Sequence, residues 1–123
     1  KDQVLHFSRD DIVLKSLYRR AEIFVFPSLL EGFGLPPLES MVCCCPVVSS
    51  NSSVMPEILG DAAEYFDPTD ICDMKSVVEK VVYSEDIKRR LIEKGRKRVK
   101  RFTWSRCAEL TREVYRKVLR EVK

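Results

Sequence analysis

The stretch that decides the fold reads Ser28-Leu-Leu-Glu31-Gly32-Phe33-Gly34-Leu35-Pro36-Pro37-Leu38-Glu39. It follows an uninterrupted apolar run, Ile23-Phe-Val-Phe26, which predicts a strand buried on both faces. It leads into residues 38–43, which predict a short helix, and its two prolines suit the first helical turn, where a missing N–H costs least. The stretch is therefore a strand end, a glycine-rich turn and a helix start.

This junction suits the binding of anions or sugar hydroxyls. The carboxyl end of a parallel strand and the N-terminus of a helix both expose backbone amides. Gly32 and Gly34 let the backbone approach a ligand without a Cβ in the way, and each can adopt a positive φ if the turn demands it. The two prolines carry no N–H. The remaining donors are the amides of Phe33, Gly34, Leu35 and Leu38.

Two glutamates bracket the turn. Glu31 lies in the turn and Glu39, eight residues later, lies in the first turns of the helix, so the two cannot stack on one helical face. A carboxylate at the start of the loop can accept hydrogen bonds from sugar hydroxyls, and one near the helix start can accept both hydroxyls of a ribose. Phosphates between them would meet the positive end of the helix dipole. The layout predicts a nucleotide-diphosphate sugar as the ligand.

Length and composition indicate one domain of modest size. The chain has 123 residues, of which 45% are hydrophobic and 33% charged, and it has no apolar run as long as a membrane span. Its first residues resemble neither a signal peptide nor a transit peptide, and because Met is absent there we expect a piece of a longer protein. We predict a single unit over 1–123, with an α/β part over 1–68 and helices over 69–123.

Charge is divided unevenly along the chain. The net charge of +3 combines +9 over residues 85–123 with −6 over residues 1–84. The basic C-terminal part indicates either an anionic partner, such as a membrane surface, or a solvated helical face. We interpret Trp104, within that part, as a packing anchor rather than a platform for nucleic-acid bases, so no nucleic-acid partner is expected.

The five cysteines do not make a disulfide framework. Three of them are adjacent at residues 43–45, and neighbouring cysteines bridge only with strain. No C-x-x-C pair indicates zinc, and no metal site is expected. We interpret the cysteines as reduced, buried side chains of a cytosolic protein, and a redox or metal role is the alternative.

The rest of the chain alternates strands and helices. Short apolar runs predict strands at residues 4–7, 46–49 and 63–66, the last of them at a sheet edge. A helix capped at Asp10 or Asp11 is expected to lay an apolar stripe on the sheet. That stripe consists of Ile12, Leu14, Leu17, Tyr18 and Ala21. The polar segment 49–53 follows one strand and is either a ligand-binding loop or a plain solvated one.

These elements predict an α/β fold with a Rossmann-like parallel sheet and flanking helices. About four strands are expected, as in the second half of a Rossmann-type domain. Beyond Asp70 the chain reads as all-helical, and Ser84 and Thr103 stand where N-caps belong. Gly32-x-Gly34 lacks the third glycine of a dinucleotide fingerprint, and no P-loop motif occurs.

At these residues the chain resembles a known family. Glu31-Gly-Phe-Gly-Leu-Pro-Pro-Leu-Glu39 is similar to the E-x7-E motif of retaining GT-B glycosyltransferases of family 4, the group 1 type. The likeness continues through residues 21–28, residues 55–63 and Phe102-Thr-Trp104, and it covers almost the whole chain. One departure is Cys44, which stands where the family usually has a glycine in a left-handed helix cap, so we expect strain there.

The resemblance implies that the chain is the C-terminal, donor-binding part of a GT-B nucleotide-sugar-binding domain. It implies transfer of a hexosyl group, such as mannosyl, from a GDP- or UDP-sugar to an acceptor with retention and without a metal cofactor. It makes Glu31 the catalytic residue and Glu39 the ribose ligand. It assigns the donor sugar and phosphates to Glu31, Gly32, Phe33, Gly34 and Leu35.

The resemblance also implies partners that this chain does not contain. Family members carry an N-terminal acceptor domain, so we expect the chain alone to be inactive. It implies a cytoplasmic enzyme, with a peripheral position at the inner membrane face and a lipid-linked acceptor as a further option. The competing hypothesis is a non-catalytic module that binds a partner protein or an anionic membrane through its basic C-terminal helices. The presence of both Glu31 and Glu39 favours the enzyme.

Overall fold

A computed structural model describes residues 4–7 and 10–122 of the chain. Three strands form one parallel sheet, and their order in the sheet is their order in the chain. A short 3-10 helix at Gly60–Ala62 precedes the third strand. The elements are α1 Asp11–Arg20, β1 Phe24–Phe26, α2 Leu35–Val42, β2 Val47–Ser50, α3 Met55–Leu59, β3 Ala63–Phe66, α4 Ile71–Val82, α5 Glu85–Val99 and α6 Trp104–Glu121. This architecture confirms the predicted α/β fold with a parallel sheet and flanking helices.

The central strand organises the core. Every residue of β2 is buried, and its successive side chains point to opposite faces of the sheet. Val47 belongs to a cluster on one face with Leu38, Met41, Met55 and Leu59. Val48 belongs to a second cluster with Phe66, Val81 and Leu91. Helices therefore cover both faces, as expected for parallel strands.

The two outer strands differ from the predictions in one respect. β3 lies at a sheet edge, as predicted, and its register pairs Ala63 with Val47 and Phe66 with Ser50. β1 was predicted to be buried on both faces, but all three of its residues are only half-buried. The reason is its place at the opposite edge, where β2 is its only neighbour in the described sheet.

Residues 4–7 form no strand, so the prediction of a strand there is wrong. Val4, Leu5 and Phe7 are exposed, as is His6 between them. Among the described residues β2 is the only strand paired with β1, so residues 4–7 leave the outer edge of β1 unpaired. The sheet has three strands rather than the four expected.

Helix α1 packs less fully than predicted. Asp10 caps it, accepting a hydrogen bond from the Ile12 amide at 2.9 Å. Of the predicted apolar stripe only Tyr18 is buried, whereas Ile12 is 81% exposed. The sheet ends at β1, so the first turns of the helix have no strand beneath them.

The C-terminal helices begin where the sequence predicts. The Ser84 hydroxyl accepts a hydrogen bond from the Ile87 amide at 3.3 Å, and the Thr103 hydroxyl accepts one from the Arg106 amide at 3.1 Å. Trp104 is 86% exposed, however, and within the described chain no residue of α6 is buried. The interpretation of Trp104 as a packing anchor is therefore wrong for this chain, because α6 covers no part of the core.

Ion pairs attach α4 and α5 to the sheet. Glu64 of β3 binds Lys80 at 2.7 Å and Arg90 at 2.8 Å. The buried Lys88 ammonium pairs with Glu22 at 2.8 Å and with a second carboxylate on its own helix. The hydrogen bond from Lys88 lowers the pKa of Glu22. Much of the positive charge on α5 is therefore matched within the domain.

The cysteines are all free, but they are not all buried. Cys45 is buried, and burial raises the pKa of its thiol to about 11. Cys43 and Cys44 are half-buried, while Cys72 and Cys107 are exposed, which corrects the prediction of five buried thiols. Cys72 lies on α4 and Cys107 on α6, and both are exposed to solvent.

Cys44 adopts the left-handed conformation expected for the glycine it replaces, with a φ of 64°. This conformation costs a non-glycine residue about 1–2 kcal/mol, which exceeds the conformational entropy cost of glycine, about 0.5–1 kcal/mol. We expect Cys44→Gly to stabilise the protein by about 0.5–1 kcal/mol, although it removes a contact between the Arg96 Nε and the Cys44 Sγ at 3.3 Å. Urea denaturation measures the change.

The adjacent cysteine provides the control for that substitution. Cys43 has an ordinary φ of −82°, so Cys43→Gly relieves no strain and is expected to destabilise the protein. A Cys44→Gly protein that unfolds at lower urea than the unsubstituted one would contradict the strain at this position.

Candidate functional site

Helix α2 begins at a glycine whose conformation and surroundings both exclude a side chain. Gly34 is the N-cap, with φ 86° and ψ 61°. A Cβ added to it would lie 2.3 Å from the Cε of the fully buried Met55. Gly32, by contrast, has open space around such a Cβ. Only Gly34 is therefore required by the local structure.

The start of α2 carries backbone donors on two exposed residues, Phe33 and Leu35, and on the buried Gly34. In the part of the chain that the structure describes, the amides of Phe33, Gly34 and Leu35 donate to no backbone carbonyl, and no side chain caps the helix. Pro36 and Pro37 lie in the first turn, as predicted. These amides stand at the positive end of the helix dipole, where an anion is stabilised.

Glu31 is held at both its backbone and its carboxylate. The Ser28 hydroxyl donates to the Glu31 Oε1 at 2.8 Å. The Ser53 hydroxyl donates to the Glu31 carbonyl at 2.9 Å and accepts from the Glu31 amide at 3.3 Å. Glu31 is half-buried, so its carboxylate is fixed in direction and still reaches solvent.

Glu39 occupies the exposed side of α2, facing α1. Its neighbour there is Tyr18, which packs edge-to-face on Phe24 with ring centroids 5.2 Å apart. Burial raises the pKa of Tyr18 to about 12, and the negative charge of Glu39 adds to this shift. The structure thus places one glutamate before the exposed amides and the other on the helix that follows them.

An aromatic contact connects Phe33, in the loop before α2, to Phe102, which follows α5. Phe33 is 40% exposed and meets Phe102 edge-to-face at 5.6 Å. The Arg98 guanidinium lies 5.5 Å from the Phe102 ring, and its Nε donates to the Ile58 carbonyl at 2.7 Å. Leu35, the last of the predicted donor ligands, is exposed at the first position of α2.

The serines around Glu31 were not found from the sequence. Ser50, at the end of β2, is fully buried and donates to the Ser28 carbonyl at 2.6 Å. The segment 49–53 was predicted to be either a ligand-binding loop or a solvated one, and in the structure its serines also bind the chain around Glu31. The available signal was the position of two serine-containing segments after neighbouring parallel strands, because such ends meet at one edge of a sheet.

Two features are absent from residues 4–7 and 10–122. Over those residues, no three His, Cys, Asp or Glu side chains are grouped so that they could hold a metal ion. No helix in the same part of the chain combines the length and the apolar character needed to cross a membrane.

Comparison with known proteins identifies the family. The family profile described as "Glycosyl transferases group 1" matches residues 1–98. The chain belongs to this family, as the resemblance in its sequence predicted.

Among its relatives is the serotype-specific mannosyltransferase WbdA of Escherichia coli, which is 38% identical over 110 residues, 89% of this chain and 13% of that protein. The MMP alpha-(1->4)-mannosyltransferase of Mycolicibacterium hassiacum is 35% identical over 116 residues, 91% of this chain and 28% of that protein. This chain thus spans less than a third of the length of either relative.

A solved structure is similar as well. Sucrose-phosphate synthase from Thermosynechococcus elongatus matches with a TM-score of 0.75 and 26% identity, over 89% of this chain and 28% of that one. The match confirms the predicted GT-B fold class.

Proposed function

We propose that this chain is the donor-binding part of a longer retaining glycosyltransferase. The enzyme would transfer a hexosyl group, for which we propose mannosyl, from a GDP- or UDP-sugar to an acceptor. The observation that carries the proposal is the Glu31 carboxylate, oriented by Ser28 and followed by the unpaired amides of Phe33, Gly34 and Leu35. The names of two mannosyltransferase relatives support the choice of sugar.

Each part of the donor has a partner in this arrangement. The diphosphate meets the amides at the start of α2, where the helix dipole and hydrogen bonds stabilise the negative charge that develops on the leaving group. Glu31 accepts hydrogen bonds from the sugar hydroxyls next to the reacting carbon, and Gly32 leaves room for the sugar beside it. Glu39 accepts hydrogen bonds from the ribose.

The remainder of the enzyme lies outside this chain. Since the chain spans less than a third of the length of its relatives, we assign the acceptor site to the rest of the protein and expect the chain alone to be inactive. Residues 1–123 would act as one unit, with 1–68 supplying the donor site and 69–123 supporting it. We place the enzyme in the cytoplasm at the inner membrane face, where the basic and partly apolar α6 could contact anionic lipid and where a lipid-linked acceptor would lie.

Glu31→Ala in the full-length enzyme tests the proposal. The variant is expected to bind the nucleotide sugar about tenfold more weakly and the bare nucleotide diphosphate with unchanged affinity, because Glu31 contacts only the sugar. Calorimetric titration with GDP, UDP and ADP and with the matching sugar nucleotides measures both effects and identifies the base.

Glu31→Gln serves as the companion variant, since it keeps the size of the side chain and an acceptor for the Ser28 hydroxyl. Equal losses for the sugar nucleotide and the bare nucleotide in Glu31→Ala would count against a sugar-specific role.

A further inference from the structure

The turn that carries Glu31 has little hydrophobic packing to hold it. Leu29 is 64% exposed and Leu30 is 83% exposed, so neither side chain anchors the segment to the core. A segment without buried apolar contacts stays ordered only through its hydrogen bonds. The hydrogen bonds around Glu31 therefore determine where its carboxylate points.

Ser28 within the turn binds the Glu31 carboxylate, and the hydrogen bonds to the backbone of the turn from elsewhere in the chain come from the end of β2 and the segment after it. Ser50 binds the Ser28 carbonyl at 2.6 Å, at the beginning of the turn. Ser53 binds both the amide and the carbonyl of Glu31, at 3.3 Å and 2.9 Å, at its end. One hydroxyl thus fixes two neighbouring peptide groups across a separation of 22 residues in the chain. Such a bridge restrains rotation of the Glu31 backbone in a way that a single hydrogen bond does not.

Ser53 also has an unusual backbone. Its φ is 58°, in the left-handed region that residues other than glycine rarely adopt. Strain of this kind persists only where the surrounding structure determines it, and it is common beside binding sites. The conformation of Ser53 and its two bonds to Glu31 are independent observations at the same place.

We propose that Ser53 is a positioning residue for the donor sugar. Its hydroxyl holds the Glu31 peptide so that the carboxylate meets the sugar while the amides of Phe33, Gly34 and Leu35 meet the diphosphate. The Ser53 hydroxyl bonds to the amide and the carbonyl of Glu31 and to none of these amides. Loss of the hydroxyl should therefore affect the sugar and leave the nucleotide unaffected. This inference rests on the proposed function.

The test uses two variants of the full-length enzyme that remove the same hydroxyl. Ser53→Ala keeps the backbone strain, whereas Ser53→Gly relieves it. Both are expected to bind the nucleotide sugar about 3- to 10-fold more weakly, the size of a lost hydrogen bond, and to bind the nucleotide diphosphate as the parent does. Their thermal midpoints should differ, with Ser53→Gly the more stable of the two.

A neighbouring serine supplies the matched control. The hydrogen bonds to the Glu31 segment come from Ser50 and Ser53, so Ser52→Ala should leave both affinities unchanged. If Ser53→Gly folds and binds the nucleotide sugar like the parent, the positioning role is wrong. It is also wrong if both ligands lose affinity equally, which a purely structural role would produce.

Glu31→Ala separates the two proposals. A sugar-specific loss in Glu31→Ala without one in either Ser53 variant would overturn the positioning role and leave the proposed function standing. No sugar-specific loss in Glu31→Ala would overturn both. A loss in Glu31→Ala together with a smaller one in both Ser53 variants supports both.

Discussion

Gly34→Ala is expected to destabilise the protein by about 2–4 kcal/mol. A left-handed φ costs a residue with a Cβ about 1–2 kcal/mol, and overpacking of a buried site costs about 1–3 kcal/mol more. Both costs apply here, because the φ of Gly34 is 86° and the new Cβ would lie 2.3 Å from the Met55 Cε. Met55 is fully buried, but the atom it presents is the terminal methyl of a flexible side chain, so the cost of this contact falls at the low end of its range. Urea denaturation measures the loss as a lower midpoint with an unchanged slope.

The same substitution should weaken donor binding, because the strained left-handed φ lies at the N-cap of α2, directly beside the amides assigned to the diphosphate. Gly32→Ala is the matched control: it lies two residues away, and no atom lies within 4 Å of its new Cβ. We expect it to change stability by no more than about 0.5 kcal/mol, as for an ordinary surface site. Equal destabilisation by the two alanines would show that Gly34 has no special role.

Glu39→Ala in the full-length enzyme is expected to weaken binding of the nucleotide diphosphate by about 1–3 kcal/mol, a 5- to 150-fold loss. The reason is the loss of a charged acceptor for the ribose hydroxyls. The loss should be the same for the nucleotide sugar, because the ribose is common to both ligands. Calorimetry with the two ligands separates this pattern from that of Glu31→Ala.

An exposed glutamate on another helix provides the comparison. Glu79 on α4 makes only a surface pair with Lys75 at 3.8 Å, so Glu79→Ala should bind both ligands like the parent. An unchanged affinity of Glu39→Ala for the nucleotide diphosphate would contradict the assignment of Glu39 to the ribose.

The strands and helix starts that the sequence predicted correctly depend on local signals. The apolar run before Ser49 becomes the buried strand β2, and Asp10, Ser84 and Thr103 each cap a helix. Gly34 takes the positive φ for which glycine is suited. The helix caps follow from the residue and its neighbours because the capping hydrogen bonds span two or three residues, and the strand follows from its uninterrupted apolar run.

The incorrect predictions depend on what surrounds an element. Residues 4–7 have the composition of a strand, but they do not pair with the outer edge of β1, which no described strand covers. Trp104 is a large apolar residue of the kind that packs into cores, but it begins α6, in which no described residue is buried. An apolar pattern predicts that a surface would be stabilised by burial. It does not predict whether another part of this chain packs against that surface.

The candidate site was predicted in part for the same reason. Glu31, Gly34 and Glu39 stand in one motif, so their neighbourhood followed from the spacing. The contact between Ser53 and Glu31 joins residues 22 positions apart and required the register of two parallel strands. Hydroxyl side chains are common in loops, so their number alone does not distinguish a bridge from a solvated surface.

Trp104 gives the protein a built-in optical probe. It is the only tryptophan in the chain, and its indole is 86% exposed at the first turn of α6. All indole fluorescence of the chain therefore originates at one solvent-facing point, outside the hydrophobic clusters that flank the sheet. An emission shift would signal a change in the environment of that helix alone, whether a protein or a lipid surface covers it. Unfolding of the core, by contrast, would leave the surroundings of this indole almost as wet as before.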